Sequence, residues 1–481
     1  MLGLIRKTKT RPLQAEKMDQ PPTSKKNGLA TALLAVSLVA LGALLYAVAV
    51  GIIGDIGQWA LRSLSGEESA GALVTWANGK TILAVLVFLG TYLVIAIGRF
   101  PGLRLDRAGA ALVGASLMVG IGVLPLEEAY RAVDFDTITL LLGMMIVVAN
   151  LRLSGFFRLV SDWVVARAGH PLLLLIAIVL VSGSFSAFLV NDTICLVMTP
   201  LVVELVKRLK RDPVPYVLAI PLASNIGSAA TITGNPQNMM IGAFSRIPYG
   251  TFAGALWPVA LFGLMLCVLF LTLAYRREFL TRERLPSLPS PPTRYHGALI
   301  AKSVVVTLVM MVLFFAGQPV AKVAIVGGAI LLLTRKVKAD KVYQEIDWPL
   351  LLMFVGLFIV VAGLEKTVVT PEVVAAVGRF DVGAPFVLSA ITAGLSNIVS
   401  NVPAVLVLKP FIAGAGDPER SWLIVAMAST LAGNFTLLGS VANLIVAQRA
   451  RTQGVEIGFW TYFKIGAPLT VATIIFGAWW L

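Results

Sequence analysis

Four short stretches of this chain gather Asn, Ser, Thr and Gly inside otherwise apolar sequence, at 186–193, 224–238, 396–403 and 429–443. Gly, Pro and Asn at such places break a helix and free backbone N–H and C=O groups. Away from water, freed groups are costly unless they line a cavity or hold a ligand. Broken-helix amino termini carry partial positive charge suited to an oxyanion, while freed carbonyls and Asn, Ser and Thr oxygens suit a sodium ion. The residues that supply this chemistry are Asn191, Asp192, Thr193, Asn225, Ser228, Thr231, Gly234, Asn235 and Asn238 in the first two stretches. In the last two they are Ser396, Asn397, Ser400, Asn401, Thr436, Gly439, Ser440 and Asn443. Taken singly, a Ser or Thr here would only pack helices and bond across them. Four stretches in two matched pairs point to a binding site. Asp192 is the one acidic residue among them, and a carboxylate at membrane depth marks a proton carrier or a sodium ligand.

These stretches must be held by helices, and the helices repeat. Ala111-Leu112-Val113-Gly114 recurs as Ala324-Ile325-Val326-Gly327, and the same offset pairs Asp134-Phe135 with Asp347-Trp348 and Gly143 with Gly356. Further on, Asn191 and Pro200 match Asn401 and Pro410, and Gly234 and Asn238 match Gly439 and Asn443. Asp192 then falls opposite Val402, so an ion role for it belongs to the first half alone. The loop after the matched span is acidic in the first half (Glu127, Glu128) and basic in the second (Lys338, Lys341). Equivalent loops therefore face opposite sides. Such inverted repeats are typical of secondary transporters, with the site at the repeat interface.

Composition supplies the solvent. Of the 481 residues, 58% are hydrophobic and 13% charged, against roughly 25% charged in soluble proteins. The mean hydropathy is +0.87. Apolar runs recur at membrane-spanning length, which predicts an all-α polytopic membrane protein with about ten or eleven spans. The net charge of +14 comes from basic clusters at the ends of apolar runs, not from a basic face with interleaved aromatics, which argues against nucleic-acid binding. About three quarters of the 39 Lys and Arg residues fall on one side when the amino terminus is placed in the cytoplasm. That bookkeeping requires two segments, 171–206 and 384–413, to enter and leave on the same side as re-entrant hairpins. The first apolar run is too long for a signal peptide and reads as a retained span.

The expected order is a cytoplasmic basic tail (1–27), leading spans (28–106), a first repeat (107–274), a cytoplasmic linker (275–297) and a second repeat (298–481). Lys409, matching Thr199, reads as a side chain that snorkels or attracts anions. Cys195, Met144 and Met145 read as packing, and Trp59, Trp76, Trp479 and Trp480 as interface anchors. The two cysteines and two histidines suggest neither a disulfide framework, a metal site nor a buried proton relay.

Val190-Asn191-Asp192-Thr193, Asn225-Ile226-Gly227-Ser228 and Gly234-Asn235-Pro236-Gln237-Asn238, with Ser396-Asn397, Ser400-Asn401 and Gly439-Ser440, resemble the ion transporter superfamily. The nearest branch holds arsenite efflux permeases and plant silicic acid effluxers; divalent-anion/sodium symporters are more distant. The resemblance implies a frame and a transport domain in each protomer, hairpin tips at 191–193 and 400–403, unwound helices at 231–238 and 436–443, and a possible homodimer. The symporters carry Ser-Asn-Thr at both tips. Here the tips read Asn-Asp-Thr and Ser-Asn-Val-Pro, which turns the expectation away from a dicarboxylate.

The combined expectation is a bacterial inner-membrane transporter, not an enzyme, that exports a small inorganic oxyanion or oxyacid of the arsenite or silicate kind. It needs no cofactor; the coupling ion is H⁺ or Na⁺, with sodium placed near Asp192. The rivals are sodium-coupled uptake of sulfate, phosphate or a dicarboxylate, and sodium/proton antiport.

Overall fold

Helix starts in this chain are written by Asp, Asn and Ser, whose side chains accept the backbone N–H groups that a helix leaves unpaired. Asp134 accepts from Thr137 N at 2.6 Å and its repeat mate Asp347 from Leu350 N at 3.0 Å. Each thereby opens a long apolar helix. Asn235 and Ser440 do the same where a helix restarts inside the molecule.

The computed structural model describes residues 79–97, 105–167, 169–286, 296–334, 337–369, 383–413 and 416–481. The basic tail, most of the leading spans, Trp59, Trp76 and part of the linker lie outside the described residues. Every described element is helical. In the first half they are α1 Gly79–Ile97, α2 Arg107–Gly120, α3 Leu126–Ala132, α4 Phe135–Ser154, α5 Phe156–Arg167, α6 Pro171–Phe188, α7 Asn191–Arg208, α8 Pro213–Ser228, α9 Pro236–Ser245 and α10 Tyr249–Ala274. After the short α11 Arg276–Phe279 come α12 Gly297–Phe315, α13 Val320–Leu332, α14 Ala339–Tyr343, α15 Trp348–Val368, α16 Pro385–Val399, α17 Asn401–Ala413, α18 Pro418–Ala432, α19 Val441–Thr452 and α20 Phe459–Trp480. Six of these (α4, α6, α10, α12, α15 and α20) are long and apolar enough to cross a bilayer singly. The polar stretches divide others into shorter pieces, so α8 with α9 and α18 with α19 make one interrupted passage each.

Two layers of contact organise the chain. The first is a frame in which the halves exchange partners: α2 packs along α15, and α4 along α13. A Cβ on Gly356 would sit 2.5 Å from the Ala111 carbonyl carbon, and one on Gly143 would sit 2.5 Å from that of Ala324. These are the same contact made twice, because Gly143 matches Gly356 and Ala111 matches Ala324. Gly363 meets Met118 about two turns further along, so α2 and α15 run parallel. The helix before each pair also repeats: Gly114 faces Thr91 of α1, and Gly327 faces Met310 of α12. The correspondence thus extends to α1, which the sequence placed among the leading spans.

The second layer holds α6–α10 against α16–α20. Here α6 lies along α8 and α16 along α18, with α10 and α20 meeting through stacked Phe262 and Phe476. Both predicted re-entrant segments are helix pairs with tight reversals, α6/α7 and α16/α17. The reversals fall just before the expected tips: Asn191–Thr193 and Asn401–Pro403 form the first turns of α7 and α17.

The start of the linker is pinned rather than free. Arg211 bonds Glu278 and Glu283, Tyr216 donates to Glu278, and Leu285 N donates to Gly169 O. Burial opposes the Arg211 charge, but hydrogen bonding to Glu278 and the Glu278 charge outweigh it and raise the guanidinium pKa.

Candidate functional site

The four polar stretches converge, and they do so through asparagine amides. Asn225, near the end of α8, is at the hub. Its Oδ1 accepts from Asn191 Nδ2 at 3.0 Å, and its Nδ2 donates to Asn434 at 2.9 Å and Asn443 at 3.1 Å. Ser440 approaches the same Oδ1 at 3.4 Å. One side chain therefore joins the first hairpin to the interruption of the opposite half.

The repeat mate of Asn225 is Thr430, which makes the reciprocal connection. Its hydroxyl receives from Asn235 Nδ2 at 3.1 Å and Gln237 Nε2 at 3.2 Å, and reaches Asn238 Oδ1 at 3.4 Å. Each half thus closes on the break in the other. Sequence reasoning placed Thr430 and Asn434 in the fourth polar stretch but not among the candidate site residues. Thr430 stands opposite Asn225, so the match was present though the residue types differ. Asn434 stands opposite Ala229, and repeat matching passes over it.

Asn238 and Asn443 use their amide donors identically. Asn238 Nδ2 donates to Ser228 O at 3.1 Å and Thr231 O at 3.0 Å. Asn443 Nδ2 donates to Gly433 O at 2.7 Å and Thr436 O at 3.0 Å. These acceptors are carbonyls freed where α8 and α18 stop, so both asparagines brace the break. Gly234 is required for that turn because a Cβ there would collide with the Ser228 backbone. The Gly439 site is looser: its nearest neighbours, Asn397 Oδ1 and Gly433 O, would stand 3.0 Å away.

The hairpins attach to this lattice through matched serines. Ser186 and Ser224 share a hydrogen bond of 2.6 Å, and Ser224 also donates to Asn191 O. In the other half Ser396 reaches Ser429 O at 3.4 Å. Asn397 Nδ2 ties Ala393 O to Ala432 O, and Thr231 bonds Ala187 O.

Some buried polar atoms remain uncommitted, and three of them lie at or near the tips. Asn191 Oδ1, Asn397 Oδ1 and Asn401 Oδ1 are buried acceptors with no donor. Native proteins leave few such atoms, and each calls for a reason. Ser400, immediately before Asn401, has φ +79° and ψ +159°, a region in which only glycine is comfortable.

Asp192 stands apart from the amide lattice. It is half-buried in the first turn of α7, where the helix dipole favours its charge. The charges that act on it belong to Arg107 and Asp347, at the starts of frame helices α2 and α15. Thr193 beside it is half-buried, and Thr436 is partly open as well. Lys409 lies 3.8 Å from Glu365 and 4.8 Å over the Phe244 ring, with its side chain 40% exposed. Cys195 is buried, as are Met144 and Met145, while Trp479 and Trp480 are exposed.

The arrangement offers neutral amide and hydroxyl donors and acceptors, with one carboxylate, Asp192, outside the lattice.

Known proteins match this chain along most of its length. A 46 kDa membrane protein of Mycobacterium leprae is 31% identical over 419 residues, covering 82% of this chain and 96% of that one. The silicon efflux transporter LSI3 of Oryza sativa subsp. japonica is 29% identical over 475 residues, covering 83% and 97%. Its place among the matches agrees with the resemblance to the arsenite and silicic acid branch. The YdaH transporter of Alcanivorax borkumensis shares the fold, with a TM-score of 0.54 at 14% identity over 83% of this chain and 97% of that one. The family model described as citrate transporter (CitMHS) matches residues 92–432, well over half of the chain, and the protein belongs to that family of membrane transporters.

Proposed function

We propose that this transporter exports a small oxyanion or oxyacid of the arsenite or silicate kind in exchange for protons, with Asp192 carrying the proton. One observation carries the reading: the amide and hydroxyl lattice is neutral, and the one ionisable side chain at either tip is Asp192, unmatched by Val402. Neutral donors suit an uncharged or singly charged hydroxylated solute better than a tricarboxylate, whose negative charges would need cations at the lattice. The silicon efflux relative supports the solute class. In this reading the basic helix ends face the cytoplasm of a bacterial cell, and each half, 107–274 and 298–481, supplies one hairpin and one interrupted helix.

Proteoliposomes test it directly. Arsenite or silicate efflux should depend on a pH gradient, and Asp192→Asn should lower that flux by at least about tenfold while the protein still inserts. Wild-type flux with unchanged pH dependence in Asp192→Asn would sink the assignment. A second reading, sodium coupling, is favoured by the donor-less oxygens of Asn397 and Asn401, which suit a hard cation. It requires flux that follows a sodium gradient, is indifferent to pH and falls in Asn401→Ala. Citrate, sulfate and phosphate belong in the same assay, since acceleration by one of them in place of arsenite or silicate would redirect the solute assignment.

A further inference from the structure

The second hairpin is attached to the frame, and the attachment uses residues that the transport site does not. Tyr92 of α1, 3% exposed, donates its hydroxyl to Pro403 O at 3.4 Å. Pro403 belongs to the first turn of α17, three residues past Ser400. Glu365 of α15 stands 3.8 Å from Lys409 further along α17, and Phe244 of α9 backs the ammonium.

Neither contact has a mate in the first half. Lys409 corresponds to Thr199, whose hydroxyl turns inward to Cys195 O at 2.6 Å. Glu365 corresponds to Arg152, which pairs with Glu345 instead of a hairpin. Tyr92 corresponds to Met311, which has no hydroxyl. Two independent attachments thus converge on one hairpin.

Ser400 adds a third observation. A non-glycine residue held at φ +79° persists only where its surroundings over-determine it. Its first-half counterpart Val190 is relaxed at φ −56° and ψ +121°. The strain therefore belongs to the attached hairpin alone. The Lys409–Glu365 contact is also too long for a hydrogen bond, and Glu365 Oε1 has no other donor. A charge contact of this kind is cheap to break. Alternating access requires that a bundle move against its partner around the site, so a contact across that boundary must break once per cycle.

We propose that Tyr92 and Glu365 are positioning residues that clamp the second hairpin to the frame through Pro403 and Lys409, and that the clamp opens and closes with each transport cycle. The strain at Ser400 is stored while the hairpin is docked and released when it leaves.

The test labels a cysteine placed at Leu438, which is 65% exposed in this state within the second interruption. Cys195 and Cys267 are buried and stay in place. Glu365→Gln and Lys409→Gln should each slow labelling by a membrane-impermeant maleimide about threefold or more, because the docked state becomes less populated. They should alter maximal flux more than KM. The charge-swapped pair Glu365→Lys with Lys409→Glu should bring labelling back to within about twofold of the parent. Tyr92→Phe, which keeps the ring, gives a smaller shift in the same direction and serves if a charge variant fails to fold. Unchanged labelling in the folded variants, or a swapped pair as perturbed as the single changes, overturns the proposal.

Discussion

The two interrupted passages share one plan and differ in tightness. In the first half, Thr231, Thr233, Gly234 and Asn235 are all buried, and the break closes through a short 3₁₀ turn, Ile232–Gly234. In the second, Phe435, Thr436 and Leu437 are half-open and Leu438 is exposed. The hairpins differ the other way. The first reverses through relaxed backbone and carries a carboxylate; the second reverses through strained Ser400 and is tied to the frame. Inverted symmetry fixes where the breaks fall, and local packing then gives each a different duty. The first break is the more closely packed, and the second is the more open.

The sharpest way to break this comparison is to put the same methyl group into both breaks. Gly234→Ala should abolish folded protein, since its Cβ would enter the Ser228 backbone and overpacking of a rigid site costs about 1–3 kcal/mol or more. Gly439→Ala should fold, with reduced transport. Equal yields from the two variants in size-exclusion chromatography would remove the distinction.

The hub residues give the next largest contrast. Asn225→Ala leaves Asn191 Nδ2 and Asn443 Oδ1 without their partner and takes one of two donors from Asn434 Oδ1, and should cost about 2–4 kcal/mol. Thr430→Ala takes one partner from Asn235, which keeps Ser228, and the partner of buried Gln237 Nε2, and should cost about 1–2 kcal/mol. Thermal unfolding in detergent orders the two, and a larger loss in Thr430→Ala contradicts the account.

Backbone strain sharpens the difference between the tips. Ser400→Gly should raise the melting temperature by relieving about 1 kcal/mol, whereas Val190→Gly should lower it by a similar amount through lost chain restriction. Opposite signs are the expected outcome. The smallest effects belong to the frame's surface pairs. Arg152→Ala and Lys366→Ala remove partly exposed bridges to Glu345 and Glu128, each worth less than about 1 kcal/mol. Similar small shifts in both would mark the frame as the symmetric part of the molecule.

Much of this was readable before any coordinates. The helix starts at Asp134 and Asp347, the hairpin bounds and the breaks at Gly234 and Gly439 are all written in local chemistry, caps and glycines above all. The repeat offset then placed the halves in register. What could not be read were the contacts between halves. Asn225 bonding Asn443, and Thr430 bonding Asn235, depend on how helices cross, and a neutral amide does not announce its partner. The strain at Ser400 was hidden because serine is an ordinary turn residue whose φ is set by tertiary contacts. Lys409 shows the same limit: a lone cation in an apolar segment does not name Glu365 as its neighbour.

The exchanged partners of the frame bear on how the protein is made. Helix α2 has 14 residues, about 21 Å of length against a hydrocarbon core of about 30 Å. Its glycine-lined partner α15 is translated some 240 residues later, about 12–50 s at ordinary elongation rates. During that interval the first half has membrane-inserted helices whose close-packing faces are uncovered. Its pieces should therefore be open to quality-control proteases until the ribosome has passed Gly356, and a chain truncated before α15 should be degraded, not stored as a half-transporter.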